Sequence, residues 1–327
     1  MNISIVIPVF NVENYIYETI TSALSQLSEN SEIIAINDAS TDKSLLILRE
    51  LAQVDERLRI INLEKNHGQG YARNLGIDKS KSDFILFLDS DDLLAKRAIK
   101  EISVNYSGED ILVYNHDLLW KNGLLTKNPK SIIFEKLQGK SFNKNDFLFM
   151  SKLLENINVP WNKLYKKNFL IENKIRFPDG IYEDIPFNWN VLLLANSIKV
   201  INKSCYLYRQ REGSTLISQS DKHSDLIKQY NKSYLSLQDM SYISILDHIF
   251  LSHAFALIFT RSERLTPLAR RNVIIGTSNI IKKNKLLKRM IYLKFKSRIY
   301  CLLFVLIPQN FIERISIFLG IKHSKKN

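Results

Sequence analysis

Only two of the 327 residues are cysteine, Cys205 and Cys301. That excludes a disulfide framework and a cysteine-built zinc site, and it fits a reducing compartment. Glycine is scarce, ten residues in all. None falls in the turn Pro8-Val9-Phe10-Asn11-Val12-Glu13 after the first apolar run. The dinucleotide fingerprint and the Walker A motif are therefore absent, and Gly68-Gln69-Gly70 alone does not replace them. The six histidines lie apart, with no metal-ligand spacing between any two. Chain entry straight into a strand predicts no signal peptide.

Acidic residues are almost missing from the last fifth of the chain. From Arg261 onward there are sixteen Lys or Arg against Glu263 and Glu313. The formal charge of +13 is thus a property of the tail, and residues 1–260 carry a net −1. A basic block points to nucleic acid, an anionic membrane surface, or solubility alone.

What is present is an alternation of strands and helices. Ile3–Val9 is a β-branched run ending near Pro8, which suits a strand terminus. Asn11–Leu27 has Ile16, Ile20, Ala23, Leu24 and Leu27 at helical spacing. Glu32–Ile36 is a second strand, ending at Asn37-Asp38. Ser40 or Thr41 is placed to cap a helix running to Val54, with Asp42 in its first turn. Arg59–Leu63, Gln69–Lys79, Phe84–Leu88 and Asp110–Tyr114 continue as strand, helix, strand and strand. The pattern predicts an α/β unit with a mostly parallel sheet flanked by helices. From Asp225 the chain reads as helical. The expected domains are 1–220, with halves 1–115 and 116–220, and a basic helical region 221–327.

The stretch Phe84-Ile85-Leu86-Phe87-Leu88-Asp89-Ser90-Asp91-Asp92 organises the rest. A buried parallel strand runs into three carboxylates at its carboxyl end, where open α/β sheets bind ligands. Such carboxylates repel each other unless a cation sits among them. Mg²⁺ or Mn²⁺ bridging to a phosphate takes one or two carboxylates.

Four ordered motifs now matter together. They are Ser4-Ile5-Val6-Ile7-Pro8-Val9-Phe10-Asn11, Asn37-Asp38-Ala39-Ser40-Thr41-Asp42, Asn66-His67-Gly68 with Ala72-Arg73-Asn74-Leu75-Gly76, and Asp89-Ser90-Asp91-Asp92. This series resembles glycosyltransferase family 2, bacterial nucleotide-sugar enzymes of the GT-A fold, over residues 1–215. Ala39 departs from the family's usual glycine. The resemblance implies that Pro8, Val9, Phe10, Asn11 and Glu13 line the base pocket, largely through backbone. Asp38 would accept a hydrogen bond from uracil or ribose. Gly68 and Ser90 belong to the same donor site. Arg73 would either meet the pyrophosphate or hold Asp89. Asp89 and Asp91 would serve the metal, Mn²⁺ or Mg²⁺.

Further along, Tyr182-Glu183-Asp184-Ile185 resembles the family's acidic segment before a helix. The resemblance implies Asp184 as general base, with Glu183 its less favoured neighbour. A hydroxyl nucleophile needs such a carboxylate, and one base opposite the leaving group implies inversion. Pro160-Trp161-Asn162-Lys163 also matches; Trp161 either stacks on an acceptor sugar or packs in the core, and Lys163 would reach phosphate. Arg209 and Arg211 in the closing loop would clamp the diphosphate.

In the tail, Ile299–Ile307 is the most apolar run, nine residues where a bilayer span needs about 20. Lys and Arg interleaved with large apolar side chains predict an interfacial region, in preference to a helical cap. No nucleic-acid motif accompanies the charge. The resemblance implies a UDP-sugar donor, a sugar-hydroxyl acceptor that is glycan or lipid-linked, and surface-polysaccharide synthesis at the inner face of the cell membrane. Two other readings remain: an aspartyl-nucleophile phosphatase, whose Asp-x-Asp normally follows the first strand, and a catalytically dead membrane-surface scaffold.

Overall fold

The structure is a computed structural model and describes residues 1–142, 146–156, 158–210, 218–237 and 240–324. The chain forms two compact units: residues 1–179 with 187–211, and residues 180–186 with 212–327. The division falls near 211, where 220 was expected, and the segment 180–186 groups with the second unit.

The first unit is an α/β layer structure. Strands β1 (Ile3–Val9), β2 (Glu32–Asn37), β3 (Leu58–Asn62) and β4 (Phe84–Phe87) alternate with α1 (Ile16–Leu24), α2 (Ser44–Val54) and α3 (Gln69–Lys79). β5 (Leu93–Leu94), α4 (Ala98–Asn105), β6 (Ile111–Leu119), β7 (Leu125–Lys127), α5 (Ser131–Leu137), β8 (Ser141–Phe142) and α6 (Phe147–Asn156) follow. β9 (Lys163–Lys166), α7 (Lys167–Glu172), α8 (Asp184–Leu194) and β10 (Ile198–Arg209) complete it. The sheet order is β3-β2-β1-β4-β9-β6-β10-β5.

The first four strands are parallel, with Ile5 opposite Ile33 on one side and Leu86 on the other. β9 then runs antiparallel between β4 and β6, so the whole sheet is mixed. β1 and β2 are buried on both faces, which explains their unbroken apolar sequence. Chain order reverses around β1, and that reversal opens the crevice where α/β sheets take ligands. α3 lies close against β1 because Gly76 has no side chain. A Cβ there would sit 2.2 Å from Val6 Cγ1.

Several boundaries differ from expectation. α1 starts at Ile16, five residues late, because Asn11 is left-handed at φ 51°. α2 starts at Ser44, and neither Ser40 nor Thr41 caps it. Asp42 does the satisfying: its Oδ1 accepts from Ser44 N at 2.9 Å. The fifth strand in sequence is the short β5, and the expected Asp110–Tyr114 strand runs on to Leu119.

The second unit is helical: α9 (Asp225–Ser236), α10 (Ile243–Phe255), α11 (Pro267–Lys283), α12 (Phe295–Leu306) and α13 (Gln309–Ser324). Thr266 caps α11 through Ala269 N at 3.1 Å, with Pro267 in the first position, as helix starts favour. Among the described residues one helical stretch, Met240–Thr260, is long and apolar enough to cross a membrane. Half of its apolar window is buried inside the protein. Asp247 in its middle is fully buried, bound by Arg289 at 2.9 Å and by the Tyr234 hydroxyl at 2.8 Å. A core helix has these properties.

Candidate functional site

Two loops at the carboxyl ends of β1 and β2 are laced together. Asn11 Oδ1 accepts from Thr41 N at 2.8 Å, and Asn11 N donates to Ser40 Oγ at 3.1 Å. Val12 N donates to Ser44 Oγ at 2.9 Å. Glu13 N donates to Asp42 Oδ2 at 2.9 Å, while Glu13 Oε2 accepts from Lys43 N at 2.8 Å. Asn11 and Glu13 thus clasp the neighbouring loop. Pro8 and Val9 are buried within β1, and the exposed apolar group at this edge is Phe10.

Asp38 at the end of β2 is almost fully buried. Its two carboxylate oxygens accept from His67 N and Gly68 N, each at 2.8 Å. It therefore organises the start of α3, not of α2. Gly68 needs its freedom there, with φ 91°. A carboxylate offers about four acceptor positions, so two backbone donors do not exhaust it.

Arg73, buried on α3, donates to Asp89 Oδ1 at 2.7 Å, and its guanidinium lies 5.2 Å from the Phe177 ring centre. Of its two expected roles, holding Asp89 is the one present. Gln69 Nε2 reaches the same oxygen at 3.3 Å. Burial holds the Asp89 carboxyl above its ordinary pKa despite Arg73. Ser90 is buried, and its carbonyl accepts from Thr19 Oγ1 at 3.0 Å.

Asp91 is half-buried and Asp92 is buried. Asp92 is built into the scaffold. The Tyr206 hydroxyl donates to its Oδ2 at 2.6 Å, and Arg209 N donates to its Oδ1 at 2.7 Å. The same hydroxyl accepts from Asp89 N at 3.2 Å. Burial, then Asp91 and Asp89, push the Asp92 carboxyl well above its usual pKa.

Arg209 packs into this corner. Its Nε donates to Asp91 O at 2.7 Å, its Nη2 to Glu18 Oε2 at 2.7 Å, and it lies over Tyr15 at 5.2 Å. It braces the carboxylate loop. Arg211 lies outside the described residues.

The two expected acceptor-side residues of the first unit turn inward. Trp161 is buried and stacks on Tyr206 at 4.2 Å, so it is a core residue. Lys163 is wholly buried, with Nζ on Asn162 Oδ1 at 2.9 Å and Asn188 Oδ1 at 3.1 Å. It cannot reach a phosphate. In a strand whose neighbours are apolar, its ammonium is satisfied by amide oxygens, and the sequence motif does not reveal that.

Asp184 is the first residue of α8 and Glu183 precedes it; both group with the second unit, while α8 from Phe187 onward belongs to the first. Glu183 is buried, while Asp184 is half-buried. The turn before them is held from two sides. Ile181 N donates to Asp225 Oδ2 at 3.0 Å, and the Tyr182 hydroxyl bonds His223 Nδ1 at 2.7 Å. Tyr182 itself is left-handed, at φ 62°. Gly180 is required, since a Cβ would sit 2.4 Å from Asp225 Oδ2.

Tyr206, Tyr15, Thr19, Glu18 and Gln69 were not foreseen. Tyr206 and Tyr208 share one face of β10 and both stack on Trp161; no local sequence signal ties Tyr206 to Asp92.

Among the described residues no group of three or more His, Cys, Asp or Glu is placed to hold a metal alone. Asp89 and Asp91 offer two hard oxygen donors, which is the share a protein supplies when phosphate oxygens complete the shell. The donor set fits Mg²⁺ or Mn²⁺.

The model of glycosyl transferase family 2 matches residues 4–167. Glycosyltransferase GlyG of Streptococcus pneumoniae is 30% identical over 228 residues, covering 67% of this chain and 74% of GlyG. Glycosyltransferase GlyA of the same organism is 30% identical over 224 residues, covering 65% of this chain and 31% of GlyA. The chain thus spans less than a third of that relative. Poly(ribitol-phosphate) beta-N-acetylglucosaminyltransferase TarS of Staphylococcus aureus is 28% identical over 226 residues, 67% of this chain and 37% of TarS. The crystal structure of TarS 1–349 with UDP-GlcNAc shares the fold, with TM-score 0.74 at 22% identity, covering 99% of this chain and 92% of that one.

Proposed function

The chain belongs to glycosyltransferase family 2, and on that footing we propose that it moves a hexose or N-acetylhexosamine from a UDP-sugar to a sugar or polyol hydroxyl, with inversion. The carrying observation is the set of carboxylates at the carboxyl ends of β2 and β4. Asp38 is fixed by two amides, Asp89 is locked by Arg73, and Asp91 follows two residues later, half-buried. A uracil donor is favoured by the TarS structure, which holds UDP-GlcNAc. Acceptors of the surface-polymer class are favoured by TarS's name as a poly(ribitol-phosphate) enzyme.

Asp91 and Asp89 are the residues that would hold a divalent cation, Asp89 through the oxygen it does not give to Arg73. A divalent cation bound there supplies charge neutralisation for the departing diphosphate. The protein's own residues do the rest. Arg73 and Gln69 hold Asp89 in one orientation. Arg209 and Tyr206 keep the Asp91–Asp92 backbone from moving. The laced loops at Asn11 and Asp38 hold the nucleoside end. Asp184 takes the proton from the acceptor hydroxyl as attack develops. It is more accessible than Glu183, which supports the assignment that the resemblance implies.

A panel of nucleotide sugars, read by thermal shift and by donor hydrolysis with Mn²⁺ or Mg²⁺, tests the reading. Asp91→Asn removes the metal-dependent part of UDP affinity; affinity with Mn²⁺ equal to that of the native chain refutes the metal role. Asp184→Asn leaves UDP affinity within about twofold and lowers transfer by a factor of about 10² to 10⁴. Retained turnover removes Asp184 as base.

A further inference from the structure

Helix α12 carries its amphipathicity the wrong way round for a soluble helix. Its inward face is Ser297, Cys301 and Phe304, all buried. Its outward face is Phe295, Ile299, Leu302 and Leu306, with exposures of 76%, 47%, 37% and 72%. The spacings of four, three and four residues place these side chains on one stripe. Solvent faces of globular helices are normally polar. The turn before α12 adds Ile291 and Tyr292, each about as exposed as Leu306.

The charge around the stripe is of one sign. From Lys282 to Arg298 there are eight Lys or Arg and no acid. Arg289 is committed to Asp247, while Lys285, Lys288, Lys294 and Lys296 are exposed. This turn and the stripe are held in place from within by that buried ion pair and by the His248–Ser297 hydrogen bond at 2.5 Å. The apolar face is therefore presented by a packed element.

We propose that this face docks on an anionic lipid bilayer, with α12 lying in the interface. Apolar groups enter the headgroup–acyl boundary while the lysines meet lipid phosphates. The helix does not cross. Twelve residues extend about 18 Å, against a hydrocarbon core of about 30 Å. The next helix does not prolong it, since α12 and α13 meet at a bend of 120°. A second copy of the chain covers an apolar stripe equally well but gains nothing from a single-sign rim, which would repel its own image.

The test is sedimentation of the full chain with vesicles of phosphatidylcholine alone or with about a quarter phosphatidylglycerol. Partition onto the anionic vesicles is expected to be at least about tenfold stronger, and to fall again when salt is raised from about 0.15 M to 0.5 M. The variant Phe295→Ser, Leu302→Ser, Leu306→Ser changes exposed positions and is expected to keep its circular dichroism and donor hydrolysis. It is expected to lose partition by at least about tenfold. Replacing Lys294 and Lys296 by Gln is expected to weaken binding about tenfold to anionic vesicles only. Equal partition onto both vesicle types overturns the proposal. So does absence from both, or a dimer in light scattering that the serine variant abolishes while vesicles remain unbound.

Discussion

Tyr206→Phe isolates the part of the site that holds the carboxylates still. The ring stays, so the stack on Trp161 at 4.2 Å is preserved. Only the hydroxyl is lost, and with it the 2.6 Å bond to Asp92 and the 3.2 Å bond from Asp89 N. Both partners are shielded from bulk water, so solvent does not readily replace the oxygen. A hydrogen bond to a carboxylate is worth about 1.5–3 kcal/mol, and a stranded buried amide costs about 1 kcal/mol. The expected loss is therefore about 3 kcal/mol in unfolding free energy, measured by urea melts. Donor affinity is expected to fall several-fold, since the Asp89 backbone is released next to Asp91. A double-mutant cycle with Asp92→Asn separates this bond from general damage, and a coupling of at least about 1 kcal/mol is expected. Additive effects, or a single-mutant loss below about 0.5 kcal/mol, refute the reasoning.

Other consequences follow from backbone strain and from burial. Ala39 sits at φ 58°, where a Cβ costs about 1–2 kcal/mol; Ala39→Gly, after the entropy glycine adds to the unfolded chain, is expected to raise stability by about 0.5 kcal/mol in denaturant melts, and a loss would show that the Ala39 methyl packs usefully. His253 is pushed down to about 4 by burial, with Arg261, Arg264 and His223 adding to the effect. Between pH 4 and about 6.5 the unfolded chain binds this proton and the folded chain does not. Its contribution is thus complete above about pH 6.5 and is lost as pH falls toward 4. From pH 7.5 to pH 5 the loss is about 2 kcal/mol, and His253→Gln should flatten that slope in melts of the second unit.

The alternation of apolar runs was enough to place β1 to β4 and the helices between them, because β1 and β2 are buried on both faces and β4 nearly so. The carboxylate stretch was legible for the same reason: an apolar strand ending in three acids has few other uses. Roles of single polar residues were harder. Trp161 takes the core alternative of its two readings, but Lys163, expected to reach phosphate, is packed inside, because its burial is decided by β9 inserting antiparallel between β4 and β6. Nothing in four residues announces that insertion. Asp38 and Glu13 were expected to face ligand, and they satisfy backbone amides contributed from about thirty positions away. Such partners are set by strand order, not by local pattern. Ala39 was readable in advance, since a left-handed residue in that loop is what a usual glycine implies.

The short segment 180–186 belongs with residues 212–327, although its chain neighbours on both sides do not. Its shape comes from Asp225 and His223, which lie some forty residues downstream. The turn before the carboxylate assigned to deprotonation is thus held by residues that follow the sheet, while Asp38 and Asp89 are held by the loop before α3 and by Arg73 on it. Exchange of residues 212–327 with those of a relative would rewrite the contacts at Ile181 and Tyr182, and a clone ending at Arg211 would keep Asp184 but lose those contacts.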